Sequence, residues 1–281
     1  MMKESKSRFD GLGDRMKMYE MREAGRKAMP GVPVIARLDG RAFHSFTRGM
    51  PRPFYLPMTL AMIDTAKYLV EQSHASLGYT QSDEITLVFL NENVEEMAFF
   101  AGRIQKLVSV LASMATVKFS EEVCKSMPDR AKKHPVFDCR VWEVPNVAVA
   151  FETVYWRVLD CMKNAVTMAA SAHYSHKELH GKNSRTKREM LLAKGDVWED
   201  YPLYFREGVF IRRRTVMKEL SEKELARIPP DRRPAGPVPR SEVVPMDLPS
   251  VRSIENLKEV LFYGAEPSRM SRDTTDAPVD R

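Results

Sequence analysis

The sequence predicts an α+β fold with the ferredoxin-like element order βαββαβ. Three observations carry that reading. Val34 to Leu38 and Ile85 to Leu90 are apolar runs of strand length. Two long stretches, near 58–76 and 97–115, keep apolar residues at helical spacing. Val136 to Trp142 alternates apolar and polar residues and closes the pattern as a last strand.

Taken in order, residues 9 to 28 carry Phe9, Leu12, Met16, Met18, Tyr19 and Met21 among many charges, which reads as one or two helices lying over the sheet. Gly31 and Pro33 punctuate before the first strand. That strand runs into Asp39 and Gly40. Ser45 to Phe54, rich in Pro, Arg and Gly, reads as a loop, and its Arg48 and Arg52 are either solvated charges or a clamp on phosphates. Leu60, Ile63, Ala66, Leu69 and Val70 form the stripe of a helix that Thr59 can cap and Gly78 ends. Tyr79 to Asp83 and Ile85 to Leu90 form a hairpin with acids at its tip. Met97, Phe100, Ile104, Leu107, Val108, Leu111 and Ala115 stripe the second helix. Pro128 to Pro135 is a basic loop before the alternating strand.

Val147 to Phe151 fits a strand, yet Val147, Phe151, Val154, Leu159, Met162, Val166 and Ala169 fit a helix to about 175, which is the reading adopted. Ser184 to Leu192 is a shorter basic helix. Leu203 to Phe205 and Val209 to Ile211 read as short strands split by Arg206-Glu207-Gly208. From Arg212 the composition shifts: residues 211–240 hold nine Lys/Arg, four Asp/Glu and five prolines, the mark of a linker or surface-hugging tail. Ile254, Leu257, Val260, Leu261 and Phe262 suit a segment that docks back, and Asp273 to Arg281 is expected to be disordered. The expected division is 1–214 as the main domain and 215–281 as a partly irregular extension.

Composition bounds the function. With 281 residues and 43% hydrophobic content the chain can bury a real core. A balance of 44 Lys+Arg against 38 Asp+Glu, net +6, permits an anionic partner without proving one. Cys124, Cys139 and Cys161 fall in no C-x-x-C pair and no zinc spacing, which suits a reduced cytoplasm. The start, Met1-Met2-Lys3-Glu4-Ser5-Lys6, lacks an apolar signal-like core, and no run is long enough to span a membrane. A cytoplasmic chain with no membrane partner is expected.

The chemistry sits at the strand ends. The βαββαβ order places the end of the first strand beside the hairpin tip, so Asp39 and Asp83 converge. Mg²⁺ takes one or two carboxylates plus substrate phosphates, and the unshielded Gly40 carbonyl is a third ligand. Two such cations can activate an attacking oxygen and stabilise a leaving one. Neighbouring strand residues face opposite ways, so of Asp83 and Glu84 one binds and the other supports. Backbone N–H groups from Gly40 to His44 can cradle a triphosphate. A strand ending in Asp-Gly, or a Ser-Asp-Glu loop, is by itself more often structural; their joint appearance points to a site.

Other residues are less specific. Arg140 either reaches phosphate or makes a surface ion pair. Asp160 and Asn164, one turn apart, are internal partners or substrate ligands. Lys182, Arg185, Lys187 and Arg188 form a basic face that is solvated or grips an RNA backbone. His173, His176 and His180 have a spacing that could hold a metal, though surface histidines are the commoner case.

At these residues the sequence resembles the tRNA-His guanylyltransferase superfamily, the reverse (3′-to-5′) nucleotide polymerases. Arg37-Leu38-Asp39-Gly40-Arg41-Ala42-Phe43-His44 resembles that family's R-I/L-D-G-R-x-F-H signature. Gln81-Ser82-Asp83-Glu84 is similar to its Q-S-D-E motif, and Phe137-Asp138-Cys139-Arg140 to its F-D-G-R, with Cys139 for glycine. Trp156-Arg157 with Asp160 and Asn164 is similar to its W-R-x-x-D…N helix. Leu179-x-Gly181 and Lys187-x-Glu189 align with its L-x-G…K-N-E segment, Arg188 standing where the family has asparagine.

The resemblance implies a polymerase-like palm with two Mg²⁺ on Asp39, the Gly40 carbonyl and Asp83, and with Glu84 also needed for activity. It implies nucleotide contacts by Arg37, Asp39, Gly40, Arg41, Ala42, Phe43 and His44, by Ser82 and Asp83, and by Arg140, Asn164 and Lys187. ATP and GTP or another NTP are the implied substrates, tRNA or a tRNA-like RNA the implied partner, and a homotetramer built from dimers the implied assembly. In that chemistry ATP adenylylates a tRNA 5′-phosphate, and the 3′-hydroxyl of the incoming nucleotide displaces AMP.

The guanylyltransferases proper carry an H-I-N-N-L-Y-N run. Here the corresponding residues are Met162-Lys163-Asn164-Ala165-Val166-Thr167-Met168, so the resemblance favours the guanylyltransferase-like branch that restores missing 5′ nucleotides against a template. The alternatives are addition of a single G to tRNA-His, a palm-type cyclase or conventional polymerase, and an RNA-binding module without catalysis.

Overall fold

The computed structural model describes residues 8–92 and 99–269. Met1 to Lys6, Met97 and Asp273 to Arg281 lie outside the described residues. The chain begins with α1 (Arg8–Ala24). Leu12, Met16, Met18, Tyr19 and Met21 are all about half exposed or more, so α1 does not bury an apolar face on the sheet as expected. Met18 and Met21 fall off the Leu12–Met16–Tyr19 stripe, which leaves no single face apolar enough to pack.

Next come β1 (Val34–Gly40), the one-turn helix α2 (Phe43–Phe46), α3 (Leu56–Ser73), β2 (Leu77–Gln81) and β3 (Glu84–Phe89). They are followed by α4 (Ile104–Ser126), β4 (Phe137–Glu143) and α5 (Val147–Ala170). The sheet order is β4-β1-β3-β2-β5-β6, and every neighbouring pair is antiparallel. Its first four strands are the ferredoxin-like sheet that the βαββαβ order demands.

Both faces of the sheet are covered. Val34, Ala36 and Leu38 point into a core with α3 and α4, which bring Ala66, Leu69, Leu107, Leu111 and Phe119. Ile35, Leu77, Tyr79 and Val88 point into a second core with Val154 and Val158 of α5. Strands buried on both sides read as unbroken apolar runs, which is why β1 and β3 stand out in the sequence.

Several boundaries differ from expectation. α3 starts two residues early, with Tyr55 as N-cap and Pro57 in the first turn, where a missing N–H costs nothing. Thr59 instead donates to the Tyr55 carbonyl. The helix stops at His74, which adopts a left-handed φ of 57°, and Gly78 lies inside β2. Leu60 of the expected stripe is half exposed, because Met58, Ala61, Met62 and Thr65 form the buried face. Phe100 and Ala101 are left-handed and precede α4 rather than belong to it.

Beyond α5 lie α6 (His176–Leu179), α7 (Ser184–Leu192) and α8 (Leu203–Arg206). The expected strand at Leu203 to Phe205 is therefore a helical turn. Phe205 is buried there beside Trp198 and Leu191, a contact that outweighs the strand preference of an aromatic run. β5 (Val209–Lys218), α9 (Glu222–Leu225) and β6 (Val238–Pro245) follow. The region read as a linker is thus half hairpin, with β5 and β6 paired from Ile211–Pro245 to Lys218–Val238. The division expected between 214 and 215 falls inside β5. The last element, α10 (Leu257–Tyr263), buries Leu257, Val260, Leu261 and Phe262 in the core beneath α5. No described helix is long and apolar enough to cross a membrane.

Candidate active site

The site forms where β1 ends, because two strands and a short helix meet there. The Gly40 N–H donates to the Asp83 carbonyl at 3.0 Å, and Asp39 lies opposite Glu84 on one side and Asp138 on the other. Residues 39 and 83 are therefore neighbours although 44 positions separate them in the chain. Ser82 takes a left-handed φ of 50°, which closes the hairpin in two residues. The Ser82 hydroxyl donates to Asp83 Oδ1 at 3.0 Å. Burial pushes the Asp83 carboxyl above its usual pKa; Ser82 opposes that, and the charges of Asp39 and Glu84 add to it.

Gly40 is there for a neighbour. A Cβ at this position would lie 2.4 Å from the ring of Phe43. Phe43 sits in a knot of Phe46, Phe119 and Phe137, with ring centroids 5.1–5.5 Å from its own. Ala42 adopts φ 56°, and α2 then begins. Arg130 and Lys133, from the 128–133 turn expected as a basic loop, donate to the carbonyls of Ser45, Phe46 and Arg48. Those bonds fix the far end of α2 and the loop after it.

A cleft of about 970 Å³ opens beside the hairpin tip, within the usual range for ligand pockets. Gly40, Ala42, Phe43, His44, Ser82 and Asp83 line one side and Asn164 of α5 the other. The 48–54 loop forms a third wall, and Arg52 reaches from it to the Ser171 carbonyl at 3.4 Å. Lys187 sits behind this wall and donates to the hydroxyl of Thr167, which does line the cleft.

The remaining expected residues lie elsewhere. Arg37 and Glu84 point to the α5 side of the sheet. Glu84 accepts from Arg157 Nε at 2.7 Å and Nη2 at 2.6 Å, a fully buried two-pronged pair. Arg157 also reaches Asp160, which accepts from Asn164 Nδ2 at 3.1 Å. Burial would lower the Arg157 pKa, but its bonds and charges with Glu84 and Asp160 hold it above the usual value. Arg37 lies 5.9 Å from the Trp156 ring centroid, and its buried Nε has no acceptor among the described residues. Arg140 is outside the cleft and pairs with Asp138 at 3.5 Å. Arg41 is exposed. His173 bonds Asp196 at 2.6 Å, so the three histidines do not form a metal group.

A divalent cation fits the acid end. Among the described residues, Asp39 and Asp83 have no cationic partner. Nor is there a group of three or more His, Cys, Asp or Glu side chains that could hold a metal unaided. Two carboxylates short of a full donor set are what a cation shared with substrate phosphates requires. A second cavity of about 900 Å³ at the other end of the sheet is lined by His74, Phe89, Arg103 and Arg212, and Glu92 is its single acid among the described residues.

Comparison with known proteins gives the family and the fold. The family model described as tRNA(His) guanylyltransferase matches residues 13–145, which hold β1, the hairpin and β4. A solved bacterial tRNA(His) guanylyltransferase-like protein in complex with ATP is 34% identical, superposes with a TM-score of 0.68, and is matched over 72% of this chain and 87% of its own. The chain belongs to the tRNA(His) guanylyltransferase family. The Schizosaccharomyces pombe tRNA(His) guanylyltransferase is 26% identical over 227 residues, 74% of this chain and 81% of the yeast protein. The bacterial protein is also known in complex with GTP, at 33% identity and a TM-score of 0.61 over 72% of this chain and 86% of that one.

As a member of this family the chain is a nucleotidyltransferase, on a palm-like α+β fold. Sequence reasoning gave no role to Arg157, although Trp156-Arg157 stood in a motif of the guanylyltransferase resemblance. An arginine placed at the apolar stripe of α5 was the available signal, since such a residue needs a buried acid. Tyr174 and Tyr204, which also line the cleft, carried no signal in the sequence.

Proposed function

We propose that this chain adds nucleotides to the 5′ end of tRNA in the 3′-to-5′ direction, restoring missing residues against the opposite strand. The observation that carries the reading is the cleft whose one rim holds Gly40, Ala42, Phe43, His44, Ser82 and Asp83 beside Asp39. Asp39, Asp83 and the Gly40 carbonyl would hold two Mg²⁺, which supply activation of the attacking oxygen and neutralise the leaving phosphate. Glu84 would support from behind, held by Arg157.

In this scheme the cleft binds ATP first. A 5′-phosphate oxygen of the tRNA attacks the ATP α-phosphorus and pyrophosphate leaves. The 3′-hydroxyl of an incoming GTP or other NTP then attacks the tRNA 5′-phosphorus and AMP leaves. Positioning is most of the catalysis in phosphoryl chemistry, and here it falls to fixed backbone. The N–H groups of Ala42, Phe43 and His44 open a helical turn and have no partner within it, so they are free for phosphate oxygens. Asn164, tied to Asp160, would face the nucleotide from α5, and Lys187 of α7 would act on the cleft wall through Thr167.

Repair is favoured over addition of a single G by the cleft wall. Asn164, Ala165, Thr167 and Met168 line it, in the run where the guanylyltransferases proper carry H-I-N-N-L-Y-N. The assembly would be a dimer of dimers, with residues 1–214 bearing the catalysis. The test is extension of a labelled tRNA lacking its first nucleotides, with Mg²⁺, ATP and each NTP. Growth that follows the opposite strand supports the reading. A single G irrespective of template supports G addition, and a 3′-extended or cyclic product overturns both.

A further inference from the structure

A second charged cluster adjoins the cleft, and the proposed reaction does not use it; the sequence shows only its Arg188, on the basic face of α7. α7 carries Arg188, α8 ends in Arg206, and the 251–253 turn carries Arg252. Glu207 joins the last two elements, because its carboxylate accepts from Ser250 Oγ at 2.6 Å and from the Val251 N–H at 2.8 Å. That clamp brings Arg252 to the end of α8 and leaves both Glu207 oxygens taken. Arg188 packs its guanidinium 5.1 Å from the Trp198 ring centroid.

The three arginines lack what arginines normally have. Among the described residues none of them forms an ion pair. The Nε atoms of Arg188 and Arg206 are buried, with no acceptor among the described residues. On α7 itself, Glu189 is engaged by Arg185. The groups facing Arg188 from other elements are Arg252, Arg206 and Glu199. Burial lowers the Arg188 pKa, Arg252 and Arg206 lower it further, and Glu199 offsets them only in part. Buried N–H groups without acceptors are costly to a fold and are rare without a reason.

We propose that Arg188, Arg206 and Arg252 form a phosphate site that holds one phosphodiester of the RNA strand as it approaches the cleft. Guanidinium forks match phosphate oxygens in pairs, and Arg252 is exposed, which gives a backbone a way in. The site adjoins the cleft on two sides. Lys187 precedes Arg188 and reaches the cleft wall through Thr167, and Phe205 precedes Arg206 and lines the cleft. The strand carrying the reacting end would be gripped here while that end lies at Asp39 and Asp83. The inference rests on the proposed RNA substrate. Free phosphate would offer the same oxygens, so the test separates the two sources.

The experiment titrates a fluorescent, 5′-shortened tRNA by anisotropy across a range of monovalent salt, without ATP, against the full chain. Wild type is compared with Arg188→Gln, Arg206→Gln, Arg252→Gln and Arg206→Lys. One lost phosphate contact lowers the slope of log affinity against log salt by about 1. Each glutamine variant is expected to show that drop, with weaker RNA binding and unaltered ATP binding, while Arg206→Lys keeps most of the slope. Arg252 is exposed, so its variant stays folded and gives the readout alone.

Slopes equal to wild type in all variants overturn the site. So does a loss confined to ATP, or to stabilisation by inorganic phosphate. A chain that binds tRNA with the predicted slopes but never extends it would sink the proposed reaction and leave this site standing.

Discussion

Asp83 and Glu84 are adjacent in sequence and opposite in fate. Asp83 lies in the hairpin turn, where the Ser82 hydroxyl and its own backbone N–H donate to it, next to another acid, on the rim of an open cleft. Glu84 begins β3, is buried, and has both oxygens taken by Arg157. One carboxylate is left unsatisfied where a ligand can come, and the other is satisfied where none can. The difference teaches that a run of acids is not a site by composition. The turn at Ser82 and the period of the strand decide which acid meets solvent.

The largest expected effect comes from removing the unsatisfied acid. Asp83→Ala should lower nucleotide addition roughly 10²–10³-fold, the scale of losing one group that manages developing charge. The melting temperature should hold or rise, because a carboxylate disfavoured by burial, and further by the charges of Asp39 and Glu84, is gone. A variant with lost activity and collapsed stability would make Asp83 structural and end the contrast with Glu84.

Glu84→Ala tests the other half. It leaves Arg157 buried with only Asp160, and breaking a buried pair of this kind costs about 3–5 kcal/mol. The pair is under a tenth exposed on both sides, so solvent does little to soften the loss. Replacing both partners, Glu84→Leu with Arg157→Met, should recover most of the stability by urea unfolding. Nucleotide addition should stay low in the double variant if Glu84 also supports the metal site.

Much of this could be read from residues alone, for reasons that differ by element. Leu107, Leu111 and Ala115 keep helical spacing because one face of α4 packs on the sheet. The meeting of Asp39 and Asp83 follows from element order, since antiparallel ladders put a strand's end beside its neighbour's start. The β5–β6 hairpin was hidden by its own protection. Arginines and prolines guard an exposed edge against pairing with other chains, and in sequence the same residues look like a linker. Glu84's partner was hidden by distance, as Arg157 lies 73 residues away. The sequence shows only Arg188 as part of a basic α7 face, solvated or RNA-gripping; Arg206 and Arg252 join it only after α7, α8 and the 251–253 turn have folded together.

Gly40→Ala probes how the open side is held. The added Cβ would meet the Phe43 ring at 2.4 Å, and overfilling a packed site costs about 1–3 kcal/mol. Phe43, with Phe46, ties α2 to the core, so the N–H groups at 42–44 should move with it. A rise in the KM for ATP larger than the fall in kcat is expected. An unaltered KM would show that the turn plays no part in nucleotide binding.

The smallest effect is a pH dependence. The Asp83 pKa is raised on folding, chiefly by burial, so its protonated form is the one the folded state prefers. Stability tied to this group is fully present below the usual carboxylate value and is lost as pH rises through the raised one. In metal-free buffer, the melting temperature of wild type relative to Asp83→Asn should therefore fall as pH rises through the acidic range and level off above it. Mg²⁺ should cancel that fall, because a cation between Asp39 and Asp83 favours the ionised form. Glu84→Gln, lacking a group that already has its cation, should lose stability at neutral pH whether Mg²⁺ is present or not. Equal pH and Mg²⁺ responses in the Asp83 and Glu84 variants would show that the two acids share one environment, and the contrast between them would fail.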